Sequence, residues 1–173
     1  MKHFISRRNF LKAAGVTAAA SAMAAAVPQA SAGFLTGKDA AVTILYTNDV
    51  HTYIDNKSPK LTYAAIAAMK QGYVDEGKPV LLVDAGDHIQ GTAYGSMDNG
   101  ATIIELMNEA GYDIATLGNH EFDYGMARAK AIIKDADFPY VSCNWVDLRT
   151  GLRVLPAVKL FPAGGKWIAF VGI

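Results

Sequence analysis

From residue 33 onward, short apolar runs alternate with stretches of helical spacing. Ala41 to Thr47 (AVTILYT) is β-branched and apolar, which predicts a buried strand. Ser58 followed by Pro59 reads as an N-cap with proline at the first helical position. Leu61, Ala65, Ala68 and Met69 then recur at helical spacing, and the helix is predicted to end near Gly77. Pro79 to Asp84 (PVLLVD) is unbroken enough to predict a strand buried on both faces. A polar, glycine-rich loop covers Ala85 to Gly100, followed by a helix from Thr102 to Ala110 that Gly111 ends. Asp113 to Leu117 reads as a third strand, Gly125 to Lys134 as a third helix, and Phe138 to Cys143 as a fourth strand. The tail changes character: Val154 to Phe161, then Ala163-Gly164-Gly165, then Lys166 to Ile173 predicts a β-hairpin.

Successive strand–loop–helix units predict an α/β fold with a largely parallel sheet. Ligands in such sheets sit off the carboxyl ends of the strands, so the chemistry is expected in three post-strand loops. The first reads Thr47-Asn48-Asp49-Val50-His51. Asp49 and His51 are two apart, and in an extended segment both would point to one side, half of a metal shell. Alone, the pair is more often a turn-capping Asp with a surface His. In the second loop, Gly86 lets the chain turn sharply off its strand and brings Asp87 to the same rim. A carboxylate there has two oxygens and can bridge two cations, or merely cap the loop. Asp84 is read as a supporting residue and His88 as part of the loop surface. The third loop, Gly118-Asn119-His120-Glu121-Phe122-Asp123-Tyr124-Gly125, is the most specific. Asn119 offers a neutral carbonyl ligand, and His120 and Asp123 are three apart, within reach of one hydrogen bond. An Asp so placed fixes the imidazole tautomer and favours its protonated form. The bland alternative makes Asn119 an N-cap and Asp123 a first-turn acid complementing the helix dipole. It does not explain three consecutive strand ends that each deliver ligand-type side chains.

Composition narrows the function. Apolar residues make up 51% and charged residues 18%, so a sizeable core is available and disorder is not expected. The formal net charge is zero but uneven: residues 1–32 carry Lys2, Arg7, Arg8 and Lys12 with no acid, leaving the remainder at −4. An acidic body argues against a nucleic-acid polymer or an anionic membrane as main partner, and it binds an anionic substrate only with cations between them. Ser6-Arg7-Arg8-Asn9-Phe10-Leu11-Lys12, an Ala-rich stretch to Val27, Pro28 and Ala30-Ser31-Ala32 look like a twin-arginine export signal with an A-x-A cleavage site. Residues 1–32 are therefore excluded from the fold, with cleavage expected after Ala32 and a periplasmic destination. Lys12, Gly15 and Pro28 make a poor apolar span, so no stable membrane anchor is expected. Cys143 is the single cysteine, so no internal disulfide forms; it reads as a buried strand residue and not as a catalytic thiol.

Taken together, Thr47-Asn48-Asp49-Val50-His51, Gly86-Asp87 with Gln90-Gly91-Thr92, and Gly118-Asn119-His120-Glu121-Phe122-Asp123 resemble the opening motifs of the calcineurin-like metallophosphoesterases, in the periplasmic 5′-nucleotidase/UDP-sugar hydrolase branch. The resemblance runs from about Ala41 to Ile173. It implies the N-terminal part of an αββα sandwich over residues 33–173 and a cofactor of two divalent ions, Zn²⁺, Mn²⁺ or Co²⁺. Asp49 and His51 would bind the first ion, Asp87 would bridge both, and Asn119 would bind the second. His120, oriented by Asp123, would lie by the phosphate of a nucleotide or nucleotide-sugar substrate, with Asn119 also on the substrate side. An activated water would attack phosphorus in line.

The family completes its sites with histidines in Gly-His and Gly-His-x-His motifs, and with a substrate domain that stacks aromatic side chains on the base; neither is in this sequence. The chain alone is therefore expected to bind metal weakly, to turn over negligibly, and to be a truncated part of a larger enzyme. Sister activities on the same scaffold are a 2′,3′-cyclic-nucleotide phosphodiesterase and a thiosulfohydrolase, and a non-catalytic metal-binding fragment is the third reading. Asp123, where the cyclic phosphodiesterases tend towards Asn, favours monoesters.

Overall fold

The computed structural model describes residues 41–54 and 62–173. The export signal, the expected helix start at Ser58-Pro59 and Leu61 lie outside these residues. Strand β1 (Thr43–Thr47) leads to helix α1 (Tyr63–Asp75), then β2 (Val80–Asp84), the short α2 (Ala93–Ser96), α3 (Ala101–Ala110), β3 (Ile114–Ala115), a 3₁₀ turn (His120–Phe122), α4 (Met126–Asp135), and a hairpin of β4 (Val158–Ala163) and β5 (Lys166–Val171).

The sheet is parallel in the order β1-β2-β3, with Thr43 to Thr47 opposite Val80 to Asp84 and Val83-Asp84 opposite Ile114-Ala115. Parallel pairing needs crossovers, and the helices supply them and cover the sheet. Central β2 is buried nearly throughout, as its unbroken apolar run implies. β1 corrects its expectation of full burial. It ends the strand order, so only its inner face packs inward, and Ile44 and Tyr46 are exposed.

The described part of α1 begins at an N-cap, Thr62, whose hydroxyl accepts from the Ala65 amide at 3.2 Å. Its buried residues are Tyr63 and Ile66, whereas Ala68 and Met69 are exposed. The inward face is thus rotated from the expected alanine-methionine stripe towards the larger side chains, which bury more area per residue. α3 ends as expected at Gly111 in the left-handed conformation. Its Ile103, Ile104 and Met107 meet Leu82, Ile132, Tyr112, Phe138 and Tyr140 in the core. Burial of each such side chain contributes roughly 1.5–3 kcal/mol relative to exposure.

Two strands are shorter than expected. β3 keeps two residues, and the fourth strand is reduced to one parallel bridge between Ala115 and Tyr140. The backbone shows why: beyond Val141, the Ser142 amide goes to the Pro156 carbonyl and that of Cys143 to Gly172, so the chain turns to the hairpin. Cys143 accordingly lies half-buried in a loop and not in a strand. The hairpin turns at Gly164-Gly165, both with positive φ, as a two-residue turn between right-twisted strands requires. It begins at Val158 instead of Val154, because the Val154 amide is engaged by the Trp145 carbonyl. Among the described residues, no helix is long and apolar enough to cross a membrane.

Candidate metal centre

The three loops leave the carboxyl ends of β1, β2 and β3 side by side, because the strands are parallel and in register. The first loop is not extended. Asp49, His51 and Thr52 have φ of +53°, +46° and +59°, a left-handed conformation that non-glycine residues seldom adopt. Asp49 and His51 therefore converge through a tight turn instead of through strand alternation, with Asp49 Oδ1 3.6 Å from His51 Nε2. The conformation is held from the second loop. The Asp49 amide donates to the Gly86 carbonyl at 3.1 Å and the His51 amide to the Asp87 carbonyl at 2.9 Å. His51 Nδ1 lies 3.0 Å from the Gln90 carbonyl, which can only accept. Nδ1 thus carries the proton, and Nε2 keeps its lone pair for a cation. Thr52 and Thr92 add a knot: the Thr92 amide donates to Thr52 Oγ1 at 2.7 Å and Thr92 Oγ1 to the Thr52 carbonyl at 3.0 Å.

In the second loop, Gly86 (φ +104°) lets the backbone press against Leu117 and Gly118 of the third. Gly118 in turn leaves room for the Asp87 carboxylate, which a Cβ there would overlap. Asp87 has φ +57°, and its Oδ1 accepts the His120 amide at 2.8 Å. In the third loop, His120 Nδ1 donates to Asp123 Oδ2 at 2.7 Å. That hydrogen bond raises the His120 pKa above its ordinary value against the opposing effect of desolvation, and the Asp123 charge adds to it. Phe122 meets Trp145 edge-on at 5.1 Å and supports the turn from behind.

The result is a cluster in which one ligand atom each from His51, Asp87 and His120 lies within 4.8 Å of the others. The two imidazoles meet edge to face at 5.0 Å. Nitrogen and carboxylate donors with no sulfur, on histidines whose Nδ1 is engaged elsewhere, fit a divalent cation. Asp49 stands beside this trio at the rim, half-exposed. Asn119 is exposed and precedes the 3₁₀ turn, but its side chain makes no capping hydrogen bond.

His88 corrects its expectation. It is not on the loop surface but fully buried, with Nδ1 2.7 Å from Asp84 Oδ1 and Nε2 2.9 Å from the Tyr140 hydroxyl. Burial pushes its pKa down, but the Asp84 charge and hydrogen bond outweigh this and leave it raised. Asp84 is buried in the supporting position expected of it, also taking the Thr47 hydroxyl at 2.5 Å and the Gly86 amide at 2.9 Å. Glu121, which the sequence did not single out, is fully buried too. It accepts the amides of Asp87 at 2.8 Å, His88 at 2.9 Å and Gly118 at 2.6 Å, joining two loops through one carboxylate. The available signal was an acid next to apolar Phe122 in a loop otherwise crowded with ligand-type residues.

Residues 42–168 match the model of the calcineurin-like phosphoesterases, and residues 5–27 match the twin-arginine translocation pathway signal sequence. The chain belongs to the calcineurin-like phosphoesterase family. It is 40% identical over 114 residues to a snake venom 5′-nucleotidase of Gloydius brevicauda, covering 60% of this chain and 19% of that protein. It is 34% identical over 149 residues to the 5′-nucleotidase of Homo sapiens, covering 76% of this chain and 26% of that protein. Among solved structures it resembles a 5′-nucleotidase precursor from Thermus thermophilus, with a TM-score of 0.67 and 29% identity over 76% of this chain and 28% of that one. The mixed α/β fold is thus that of the family. The chain spans about a fifth to a quarter of the length of these curated relatives, in the N-terminal part of the catalytic domain.

Proposed function

We propose that the chain carries part of an exported, metal-dependent phosphohydrolase that cleaves phosphate monoesters of nucleotides, of the 5′-nucleotidase type. The observation that carries this reading is the convergence of His51, Asp87 and His120 at the carboxyl ends of parallel strands. Two divalent cations, Zn²⁺, Mn²⁺ or Co²⁺, would supply charge neutralisation at the phosphoryl group and an acidified water. In this assignment Asp49 and His51 hold the first, Asp87 bridges, and Asn119 belongs to the second and to the substrate. His120 serves the phosphate. Asp123 holds its Nδ1 proton, so Nε2 is the atom left to give or take one at the leaving oxygen. Asp87 ties the His120 backbone to the cluster by accepting its amide.

The match to the twin-arginine signal supports export to the periplasm, with cleavage after Ala32 checked by N-terminal sequencing of the exported chain. With Asp49, His51, Asp87 and Asn119 as the donors assigned to two cations, the chain by itself is proposed to bind cations weakly and to turn over negligibly. Calorimetric titration of AMP into the purified chain, with and without Co²⁺, tests the reading. AMP binding that requires Co²⁺ supports it. Equal AMP binding without the metal, or no uptake of Co²⁺, contradicts it.

A further inference from the structure

Beneath the candidate centre runs a polar chain that contributes no atom to the His51–Asp87–His120 cluster. The Tyr112 hydroxyl meets Thr47 Oγ1 at 2.9 Å, Thr47 Oγ1 donates to Asp84 Oδ2 at 2.5 Å, and Asp84 Oδ1 accepts from His88 Nδ1 at 2.7 Å. His88 Nε2 closes the chain on the Tyr140 hydroxyl at 2.9 Å. Burial keeps the Tyr140 hydroxyl protonated by raising its pKa well above the ordinary value. Glu121 Oε1 stands 3.5 Å from the same His88 nitrogen. The side chains of Asp84, His88 and Glu121 are all fully buried.

Two carboxylates and an imidazole removed from water cost more than an apolar set of the same volume, so stability alone does not account for them. What they touch does. Asp87 keeps a left-handed backbone only because something holds it, and Glu121 takes the amides of Asp87 and of His88 that follows it. Through Gly118 the same carboxylate fixes the third loop, whose His120 amide binds the Asp87 side chain. His88 anchors this arrangement downward, to the end of β2 through Asp84 and to the segment after α4 through Tyr140.

We propose that His88 and Glu121 are positioning residues for the candidate metal centre: Glu121 sets the backbone that aims Asp87, and His88 ties that backbone to β2 and Tyr140. The proposal rests on the metal-site reading above and extends it to residues that touch neither cation nor substrate.

The test uses the 173-residue chain and two readouts: Co²⁺ affinity, and amide hydrogen exchange without metal. His88→Leu and Glu121→Gln are expected to weaken Co²⁺ binding at least about tenfold. They also speed exchange at the Asp87, His88 and Gly118 amides, which Glu121 holds, while β2 stays protected. His88→Asn keeps a donor towards Asp84 and restores most of the affinity. Ile132→Ala, a core truncation in α4, lowers the melting temperature but leaves Co²⁺ affinity within about twofold. If His88→Leu fails to fold, Glu121→Gln decides: it is expected to weaken Co²⁺ binding at least about tenfold, whereas Tyr140→Phe, which like His88→Asn loses only the Tyr140 end of the anchor, weakens it by less. A Glu121→Gln chain of unchanged affinity overturns the proposal. Variants that bind Co²⁺ as tightly as the wild type overturn the proposal alone, as does an Ile132→Ala chain weakened to the same degree. A wild-type chain that takes up no Co²⁺ overturns the metal-site reading and this proposal with it.

Discussion

The Asp87 carboxylate and the His120 backbone amide are joined at 2.8 Å, so the second and third loops share one hydrogen bond at the centre of the candidate site. This bond gives Asp87→Asn a definite outcome. The amide oxygen must face the His120 N–H, which turns the NH₂ towards the cluster, where a cation needs a lone pair. Co²⁺ affinity is expected to fall at least about tenfold, with folding stability changed by less than about 1 kcal/mol. Isothermal titration and urea unfolding check both halves, and unchanged affinity would remove Asp87 from the site.

Gly118→Ala places a methyl group on the Asp87 carboxylate. Neither loop can retreat easily, since Glu121 holds both. A loss of about 1–3 kcal/mol in urea unfolding is expected, together with weaker Co²⁺ binding. A fully stable variant would mean that the two loops are not in the close contact described.

Asp123→Asn removes the partner that raises the His120 pKa. In metal-free protein, NMR titration of His120 is expected to report a midpoint above the ordinary 6.5 in the wild type and a lower one in the variant. The sign for stability follows. A raised folded-state pKa means that the pair stabilises the fold below the ordinary imidazole value and loses that contribution as pH rises through the folded pKa. A variant with an unmoved midpoint would detach Asp123 from His120.

Thr52→Val keeps the shape of a fully buried side chain but deletes the oxygen that takes the Thr92 amide. Leaving that amide without its partner is expected to cost about 1–3 kcal/mol, and to speed its hydrogen exchange more than that of β2. Exchange that rises evenly across the protein would contradict a local knot.

The parallel sheet, α3 with its Gly111 stop and the hairpin turn were legible because each rests on local chemistry: unbroken apolar runs, a left-handed glycine, a Gly-Gly turn. Strand lengths were not. Phe138 to Cys143 has strand-like composition, but its later amides are taken by Pro156 and Gly172, which only the folded chain brings near. The buried face of α1 was misplaced because alanine spacing was weighed over Tyr63 and Ile66. At the site, His51, Asp87 and His120 come together and Asp49 lies beside His51, but the cause of that last pairing differs: left-handed turns at Asp49 and His51, not strand alternation, bring the two together. His88 was read as loop surface and Glu121 was not singled out, because burial of a polar side chain depends on partners 3 to 52 residues away, and no spacing rule reports that.

The most direct measurement of the central claim is paramagnetic broadening by Mn²⁺ in the ¹H–¹⁵N spectrum of the metal-free chain. Sub-stoichiometric Mn²⁺ is predicted to erase first the amides of His51, Asp87, Asn119 and His120, leaving those of α1 intact. Broadening that begins instead at surface acids such as Asp75 and Glu76, or that never singles out the three loops, would contradict a cation site built at the ends of β1, β2 and β3.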